Sequence, residues 1–386
     1  MHRSWVEVSL GQIAENYRCA QRVVGPAVKI AAVVKADAYR HGAVEVSRAL
    51  MAEGVEWLAV SSVEEGVTLR DAGIRARILV MADFLPFERP ALLEHDLTPV
   101  VHSLEDLHQL DAFAQRAGRS VPYHLKLDTG MTRLGTSAGA EAVLEAVTHA
   151  RHAYLEGLMT HFASAGDYTK SQTDEQLALF ESLLSALAAA GVRPAYVHAA
   201  STNAVAFGRR PAWFNMVRPG HALYGYVSAA KGEAPPCLLE VRPALSWKTR
   251  ILSVKDVPQG VAIGYGGMFR APRAMRIAIL AVGYADGFPH RLSNKGKVIA
   301  AGRLVPILGA VSMDLTTIDV THCPSLQPGD PVTLLGREGN ASLDAVEIAR
   351  TAGTISYNVL CSISARVKRV YTPSPVPSAA DDPGRR

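Results

Sequence analysis

The sequence is poor in cysteine and in long apolar runs. Its four cysteines, Cys19, Cys237, Cys323 and Cys361, lie far apart and form no Cys-x-x-Cys pair, so their spacing indicates neither a disulfide framework nor a zinc site. No stretch approaches the roughly 18 apolar residues of a membrane span, and the first ten residues hold no apolar run long enough for a signal peptide. We therefore expect a cytoplasmic protein whose cysteines are reduced.

An excess of charge of one sign is also missing, and so are the common nucleotide and metal motifs. The net charge is only +4 at pH 7 and is spread evenly, so neither nucleic acid nor a membrane surface is expected as a partner. No Walker loop and no GxGxxG follows a predicted strand, which excludes the two commonest nucleotide-binding signatures. The histidines show no HExxH or similar spacing, and no metal site is predicted.

The sequence does contain enough apolar residues for a large folded core. Hydrophobic residues make up 48% of the 386 positions and charged residues 20%, as in a soluble globular protein. From about residue 10 to residue 230, short apolar runs alternate with helical patterns. The candidate strands are residues 29–34, 57–60, 78–81, 98–101, 123–127, 155–160, 196–198 and 215–217. Eight strands that mostly alternate with helices predict a parallel α/β fold, and their number favours a (β/α)₈ barrel of the TIM type.

The pattern changes after residue 231, where the segment GEAPP (residues 232–236) indicates a linker. Short β-type runs broken by glycine and proline follow, and only residues 343–351 have a helical pattern. The candidate strands are residues 244–254, 275–282, 297–307, 315–320 and 331–335. The predicted division is residues 1–10, a strand that packs with the β domain; residues 11–231, the barrel; residues 232–371, a mostly β domain; and residues 372–386, a disordered tail.

Basic side chains follow three of the predicted barrel strands. Lys35 follows the first strand, Lys126 and Arg133 follow the fifth, and Arg218 follows the eighth. Because catalytic groups of such barrels lie at the C-terminal ends of the strands, the four cations would meet at one mouth. They would repel each other unless an anion joined them, which predicts a phosphate or carboxylate ligand.

Each of these features, taken alone, also has a simpler interpretation. Lys35 could be a strand-end lysine that reaches solvent, and His161, after the sixth strand, could be a core histidine. The glycine-rich segment IGYGG (residues 263–267) is by itself typical of a tight turn.

Seven motifs, taken together and in order, resemble those of the alanine racemase family. They are VKADAY (34–39) with HG (41–42), KLDTGM (126–131) with RLG (133–135), VRPG (217–220) with LYG (223–225), GYG (264–266), VGYADG (282–287), SMD (312–314), and GTISY (353–357) leading to Cys361. The resemblance covers about residues 5 to 371. It implies a barrel and a β domain that use pyridoxal phosphate (PLP) to racemise a small amino acid, with D-alanine for cell-wall peptidoglycan as the product.

The resemblance also implies a role for each matching residue that faces the cofactor. Lys35 would bind PLP covalently and act as one base, and Tyr265 would be the second base on the opposite face of the substrate. Arg218 would face the pyridine nitrogen, with His161 behind it. The residues that would hold the phosphate are Tyr39, Thr202, Gly220 and Tyr357.

A second group of matching residues would bind the substrate. Arg133 would lie near the cofactor phenolate and the substrate carboxylate, and Lys126 resembles a lysine that is carbamylated in many members and orients that arginine. Met313 would offer its backbone N–H to the substrate carboxylate, with Asp314 nearby. The family further implies a homodimer in which the β domain of one subunit covers the barrel mouth of the other.

The sequence departs from the family pattern at three places. Arg40 stands where the family usually has glycine, and Phe288-Pro289-His290 stands where it usually has Pro-Arg. Ser201-Thr202 replaces the usual Asn-Ser, although Thr202 keeps a hydroxyl for phosphate binding. These departures concern local loop geometry rather than the chemistry.

Arg218 is the residue that bears most on the type of reaction. A guanidinium has a pKa above ~12 and will not give its proton to the pyridine nitrogen, which makes the ring a weak electron sink. This favours a racemase over a PLP-dependent basic-amino-acid decarboxylase, in which a carboxylate faces that nitrogen and a cysteine stands opposite. A non-catalytic PLP carrier and a racemase of serine or a larger amino acid remain as alternatives.

Overall fold

A computed structural model of the chain describes residues 2–82 and 85–373. The chain forms two compact units. The first comprises Ile13–Ala38 and Ala43–Arg242, and the second comprises Met1–Gln12, Tyr39–Gly42 and Pro243–Arg386. Within the described ranges, none of the helices combines the length and the apolar character that crossing a bilayer would need.

The chain begins with strand β1 (Ser4–Ser9) and helix α1 (Leu10–Val24). The barrel strands that follow are β2 (Lys29–Val33), β3 (Trp57–Val60), β4 (Arg77–Val80), β5 (Thr98–Val101), β6 (Val121–Lys126), β7 (Ala153–Met159), β8 (Tyr196–His198) and β9 (Met216–Val217). The helical segments among them are α2 (Lys35–Tyr39), which is a left-handed turn, α3 (Ala43–Ala52), α4 (Val63–Asp71), α5 (Arg89–Glu94), α6 (Leu104–Ala117), α7 (Ala140–His149), α8 (Gln172–Ala189) and α9 (Thr202–Ala206).

The eight strands of the first unit pair in parallel, in the order β8-β7-β6-β5-β4-β3-β2-β9. A parallel bridge between Ser201 and Arg218 continues the pairing between the two end strands. Strands such as β3 and β5 are buried along their whole length, which explains why they appear as continuous apolar runs. The predicted (β/α)₈ barrel is therefore confirmed, and the strand bounds differ from the prediction by at most two residues.

Local signals fix the helices that surround the barrel. In α6, the hydroxyl of Ser103 accepts a hydrogen bond from the backbone N–H of Asp106 at 3.0 Å. At the other end, Gly118 adopts φ 62° and ends the helix, a left-handed conformation that costs glycine nothing. Such caps set where each helix begins and ends, and hence which residues are left in the loops at the strand ends.

The second unit is built mainly from antiparallel strands. Its elements after Pro243 are β10 (Leu245–Val257), β11 (Ala262–Ile263), β12 (Phe269–Arg270), β13 (Met275–Leu280), β14 (Lys297–Ala300), β15 (Arg303–Leu308), β16 (Thr316–Asp319), β17 (Pro331–Glu338), β18 (Ala341–Leu343), α10 (Ala345–Ala352), α11 (Ser356–Cys361) and β19 (Lys368–Thr372). The large sheet has the order β18-β17-β14-β15-β16-β13-β10-β1-β19, and β11 pairs with β12. The prediction of a mostly β C-terminal region is confirmed.

Three details of the second unit differ from the prediction. Residues 343–351 are not the only helical segment, because α11 follows α10; its short sequence SYNVLC contains few strong helix formers. Residues 297–307 form two strands rather than one, since Ala301 and Gly302 adopt φ 50° and 69° and reverse the chain. Strand β19 ends at Thr372, one residue inside the predicted tail, and residues 374–386 lie outside the described residues.

Candidate active site

Lys35 stands at the C-terminal end of β2, where the backbone takes an unusual course. Residues 36–40 all have positive φ, between 52° and 66°, and form a left-handed turn without glycine. Such a conformation costs roughly 1–2 kcal/mol per residue. Two side chains hold the turn: Asp37 accepts from the N–H of Ala43 at 2.7 Å, and Glu65 accepts from the N–H of Ala36 at 2.7 Å. Strain of this kind concentrates at functional sites.

Two of the family departures can be followed in the second unit. Arg40 has φ 66°, a conformation in which glycine would be unstrained. Its Nε donates to the carbonyl of Cys361 at 3.3 Å, and its own carbonyl accepts from Nε of Arg369 at 3.1 Å. His290 lies edge-on to Tyr284, with the ring centroids 6.2 Å apart. Arg40, which stands where the family usually has glycine, therefore has a strained backbone that hydrogen bonds to Cys361 and Arg369 hold in place.

Lys126, the last residue of β6, is at the centre of the predicted cation cluster. Only 5% of its surface is exposed. Burial, together with the nearby charges of Arg133, Arg218 and Lys35, lowers its pKa to about 8, while Asp128 acts in the opposite direction. The structure thus brings together all four cations that the sequence placed at the strand ends.

Asp128 shapes the loop that carries Arg133. Its Oδ1 accepts hydrogen bonds from the backbone N–H groups of Gly130, Met131 and Thr132, each at 3.0 Å. Burial raises the pKa of Asp128, but these three bonds outweigh burial and lower it overall. Asp128 belongs to the motif KLDTGM, but its position in the sequence did not predict this role.

Arg218 is buried after β9, and its guanidinium donates only to neutral acceptors. Nη1 donates to His198 Nδ1 at 2.6 Å and to the His198 carbonyl at 3.0 Å. Nη2 donates to the carbonyls of Thr160 and Ala199 and lies 3.2 Å from His161 Nδ1. Among the residues that the structure describes, none accepts from Nε–H. Arg218 therefore keeps one N–H for a ligand.

His161 lies beside Arg218 as predicted. Burial lowers its pKa to about 3, and the charges of Arg218, Lys126 and Arg133 contribute in the same direction. At neutral pH its ring is therefore uncharged. His198, which contacts Arg218 more closely, was missed by the sequence analysis, because a single histidine at the end of a short strand carries no distinguishing signal.

The residues predicted to hold phosphate form two pairs, one in each unit. In the barrel, Thr202 Oγ1 accepts from the N–H groups of Gly220 at 3.1 Å and Ala222 at 3.4 Å, which leaves its hydroxyl hydrogen to donate elsewhere. In the second unit, the rings of Tyr39 and Tyr357 are 6.1 Å apart. Burial raises the pKa of Tyr39, so its phenol stays protonated and can donate to an anion.

The second unit also carries the segment that contains Met313. The backbone N–H of Ala285 donates to the Met313 carbonyl at 3.0 Å. A Cβ on Gly283 would come within 2.3 Å of that same oxygen, so the close approach requires glycine. Arg366 Nη2 pairs with Asp314 Oδ1 at 2.7 Å. The Asp314 carboxylate is thus engaged in holding the loop.

Tyr265 lies in a turn between β11 and β12 that glycines make possible. Gly264 and Gly266 adopt φ 76° and 65°. The Tyr265 side chain is 77% exposed and that of Met313 is 54% exposed, although both are large apolar groups. The structure therefore presents both predicted residues at the surface of this chain.

Comparison with known proteins identifies relatives of both units. The family described as "Alanine racemase, N-terminal domain" matches residues 8–228, and "Alanine racemase, C-terminal domain" matches residues 244–371. The alanine racemase of Halothermothrix orenii is 40% identical over 370 residues, which are 95% of this chain and 96% of that protein. The alanine racemase of Symbiobacterium thermophilum is 41% identical over 372 residues, 96% of this chain and 97% of that protein.

Solved structures agree with these relatives. Alanine racemase from Clostridium difficile 630 superposes with a TM-score of 0.89 at 33% identity, covering 98% of each chain. Alanine racemase from Bartonella henselae with covalently bound pyridoxal phosphate superposes with a TM-score of 0.85 at 27% identity, covering 96% of this chain and 100% of that one.

Proposed function

Because this chain belongs to the alanine racemase family and is an amino-acid racemase, we propose that it interconverts L-alanine and D-alanine with pyridoxal phosphate as its cofactor. The observation that carries the proposal is the cluster formed by Lys35, Lys126, Arg133 and Arg218 in the barrel. A group of cations is suited to an anionic cofactor and an anionic substrate.

The residues present fit pyridoxal phosphate. Arg218 offers a free Nε–H in a buried setting, which suits an aromatic nitrogen that accepts a hydrogen bond. The hydroxyl of Thr202 and the neutral phenol of Tyr39 are donors of the kind that a phosphate needs. Lys35 would hold the cofactor covalently, as a lysine amine can with a carbonyl group.

The enzyme must serve both directions, because the two enantiomers have equal free energy in water. Each direction removes a proton from one face of the substrate Cα and returns one to the other face, so we propose one base on each face. When bound, pyridoxal phosphate withdraws electrons from the substrate Cα and so acidifies its C–H bond. Lys35 Nζ would exchange a proton with one face of that carbon, and Tyr265 Oη with the other. Arg133 and the backbone N–H of Met313 would hold the substrate carboxylate so that neither face rotates away.

Arg218 would restrict the chemistry to racemisation. Its guanidinium keeps its protons and leaves the pyridine nitrogen unprotonated. A pyridine ring held in this way would be a weaker electron sink. Proton return by Lys35 or Tyr265 would then be favoured over transamination and decarboxylation.

Replacing Arg218 with glutamate is expected to slow racemisation by about 100-fold, in the range found when a single electrostatic donor is removed from a catalytic site, and to raise side transamination. A carboxylate would hold a proton on the pyridine nitrogen, so charge at Cα would persist long enough to react elsewhere. The measurement is pyridoxamine phosphate formed per racemisation event. An unchanged ratio in Arg218→Glu would count against the role of Arg218.

Lys126 is expected to be carbamylated when carbon dioxide is available. Its pKa of about 8 leaves a large share of the amine neutral at pH 8, and only the neutral amine attacks CO₂. Attack of the neutral amine on CO₂ forms an N–C bond and releases one proton. Counted from the protonated amine, two protons are lost and a cation becomes an anion among Lys35, Arg133 and Arg218, which relieves their repulsion. In ¹³C-bicarbonate we expect one carbamate signal per chain by ¹³C NMR. A signal that survives in Lys126→Ala would assign it elsewhere.

The function is tested by incubating the enzyme with a panel of L-amino acids and measuring D-products by chiral chromatography. We expect D-alanine to form fastest, with Lys35→Ala as the inactive control. Faster turnover of serine would move the assignment to another racemase, and CO₂ release from lysine or ornithine would move it to a decarboxylase.

We further propose that D-alanine supplies cell-wall peptidoglycan, so cells deprived of this enzyme should require D-alanine to grow.

A further inference from the structure

Arg218 is linked to a second histidine beyond His198. A guanidinium can only donate, so the 2.6 Å contact from Arg218 Nη1 requires His198 Nδ1 to be an unprotonated acceptor. The proton of the neutral His198 ring must then be on Nε2. That nitrogen lies 2.8 Å from His124 Nδ1, which must in turn accept. The proton of His124 is therefore also on Nε2.

The chain of contacts ends at a carboxylate. His124 Nε2 lies 3.6 Å from Glu156 Oε2, too far for a strong hydrogen bond but close enough for the N–H to point at a negative charge. The same oxygen accepts from Arg77 Nη2 at 2.7 Å. Arg77 stacks on Trp57, with its guanidinium carbon 4.0 Å from the ring centroid.

The imidazole rings of His124 and His198 both lie in the interior of the barrel. His124 and His198 are fully buried. Burial lowers the pKa of each ring, and the charge of Arg218 lowers the pKa of both further. Both rings are therefore neutral at pH 7, and the tautomers deduced above are the ones that satisfy the contacts of His198 with Arg218 and His124.

Arg218 lacks a carboxylate partner of its own among the described residues. Within residues 2–82 and 85–373 no carboxylate makes an ion pair with it. The N–H groups of Arg218, His198 and His124 all point the same way, toward Glu156, and aligned hydrogen bonds polarise one another in a low dielectric. A negative charge at the end of such a chain strengthens each acceptor before it.

A glycine beside His124 leaves the space that the His124 ring occupies. His124 and Gly157 are paired across β6 and β7. A Cβ on Gly157 would lie 2.5 Å from His124 Nδ1, so any other residue would push the ring out of line. Glycine next to Glu156 therefore permits the contact between His124 and His198.

We propose that Glu156 is a positioning residue for Arg218 and acts through His124 and His198, which we call the histidine relay. The inference rests on the proposed function, because the orientation and charge of Arg218 matter for racemisation only if Arg218 faces the cofactor as proposed. Glu156 fixes the tautomers of the relay, and the relay holds the guanidinium with its remaining N–H directed at the ligand.

The relay itself is tested by long-range ¹H–¹⁵N NMR of the holoenzyme labelled with ¹⁵N-histidine. We expect both His124 and His198 as single Nε2–H tautomers. In Glu156→Gln, which keeps an acceptor but removes the charge, the ¹⁵N resonance of His198 Nδ1 should shift although Glu156 does not contact His198 and acts only through His124. A proton on His198 Nδ1 in the wild-type protein would overturn the proposal, whether or not alanine is the substrate.

Kinetics then separate a positioning role from a structural one. We expect Glu156→Leu to lower kcat at least fivefold with KM for L-alanine within twofold, and Glu156→Gln to fall in between. Gly157→Ala should reproduce the loss with Glu156 intact. The control is Arg77→Met, which removes the other partner of the same carboxylate and should leave kcat within twofold.

Two outcomes would overturn the role of Glu156. One is an equal loss of kcat in Arg77→Met and Glu156→Gln, because the carboxylate would then serve only a structural ion pair. The other is wild-type kcat in Glu156→Gln together with an unmoved His198 resonance. If Glu156→Leu does not fold, Glu156→Gln and Gly157→Ala decide the question.

Discussion

Replacing Lys35 with alanine is expected to lower kcat for alanine racemisation by at least about 10⁴-fold, because the side chain serves as both covalent anchor and base. Lys35 follows β2 and leads into the strained left-handed turn of residues 36–40. The turn fixes where the Lys35 backbone lies, and an alanine at that position has no amine. The loss should appear in kcat for both directions, because each direction needs a proton removed on one face and returned on the other.

The same variant tests the attachment of the cofactor without relying on turnover. Borohydride reduction of the wild-type protein should fix the cofactor to the peptide that contains Lys35, and Lys35→Ala should lose the label. Lys126→Ala is the matched control, because it removes a neighbouring strand-end lysine and should keep the label on Lys35. A label found on Lys126, or activity above 1% in Lys35→Ala, would contradict the assignment.

The barrel could be predicted from the sequence because its strands are short, largely buried and separated by helical patterns. Lys35, Lys126 and Arg218 could be placed together for the same reason, since residues at strand ends share one mouth whatever the loop geometry. The electrostatic influence of Lys35, Arg133 and Arg218 on Lys126 bears out that placement.

The histidine relay could not be predicted in this way. His124, Glu156 and His198 are separated by more than thirty residues at each step, and only the register of β6, β7 and β8 brings them together. A buried histidine inside an apolar strand has no sequence signature of its own.

Local backbone geometry was the other feature that could not be predicted from the sequence. Five consecutive non-glycine residues, 36–40, in the left-handed region contradict local propensity, so no pattern could indicate them. Helix α11 was missed for the opposite reason, since its six residues are too few and too mixed to form a periodic pattern. Tertiary packing decides both segments.

The proposed homodimer rests on the exposure of two groups that the chemistry needs. Tyr265 and Met313 are 77% and 54% exposed in this chain, yet a second base and a carboxylate donor work best where water is excluded. A two-fold dimer covers two such surfaces with one interface. We propose that each site takes Lys35 from one subunit and Tyr265 and Met313 from its partner.

Mixing the inactive variants Lys35→Ala and Tyr265→Ala is therefore expected to restore about a quarter of wild-type activity after random subunit exchange. Half of the dimers are then mixed, and in each of these one site carries both lesions while the other carries neither. The measurement is D-alanine formation before and after exchange, with exchange verified by mass spectrometry of differently tagged chains. If Lys35 and Tyr265 came from the same chain, every site would lack one base, and verified exchange would restore nothing. That result would refute the shared site while leaving both residues as candidates for the bases.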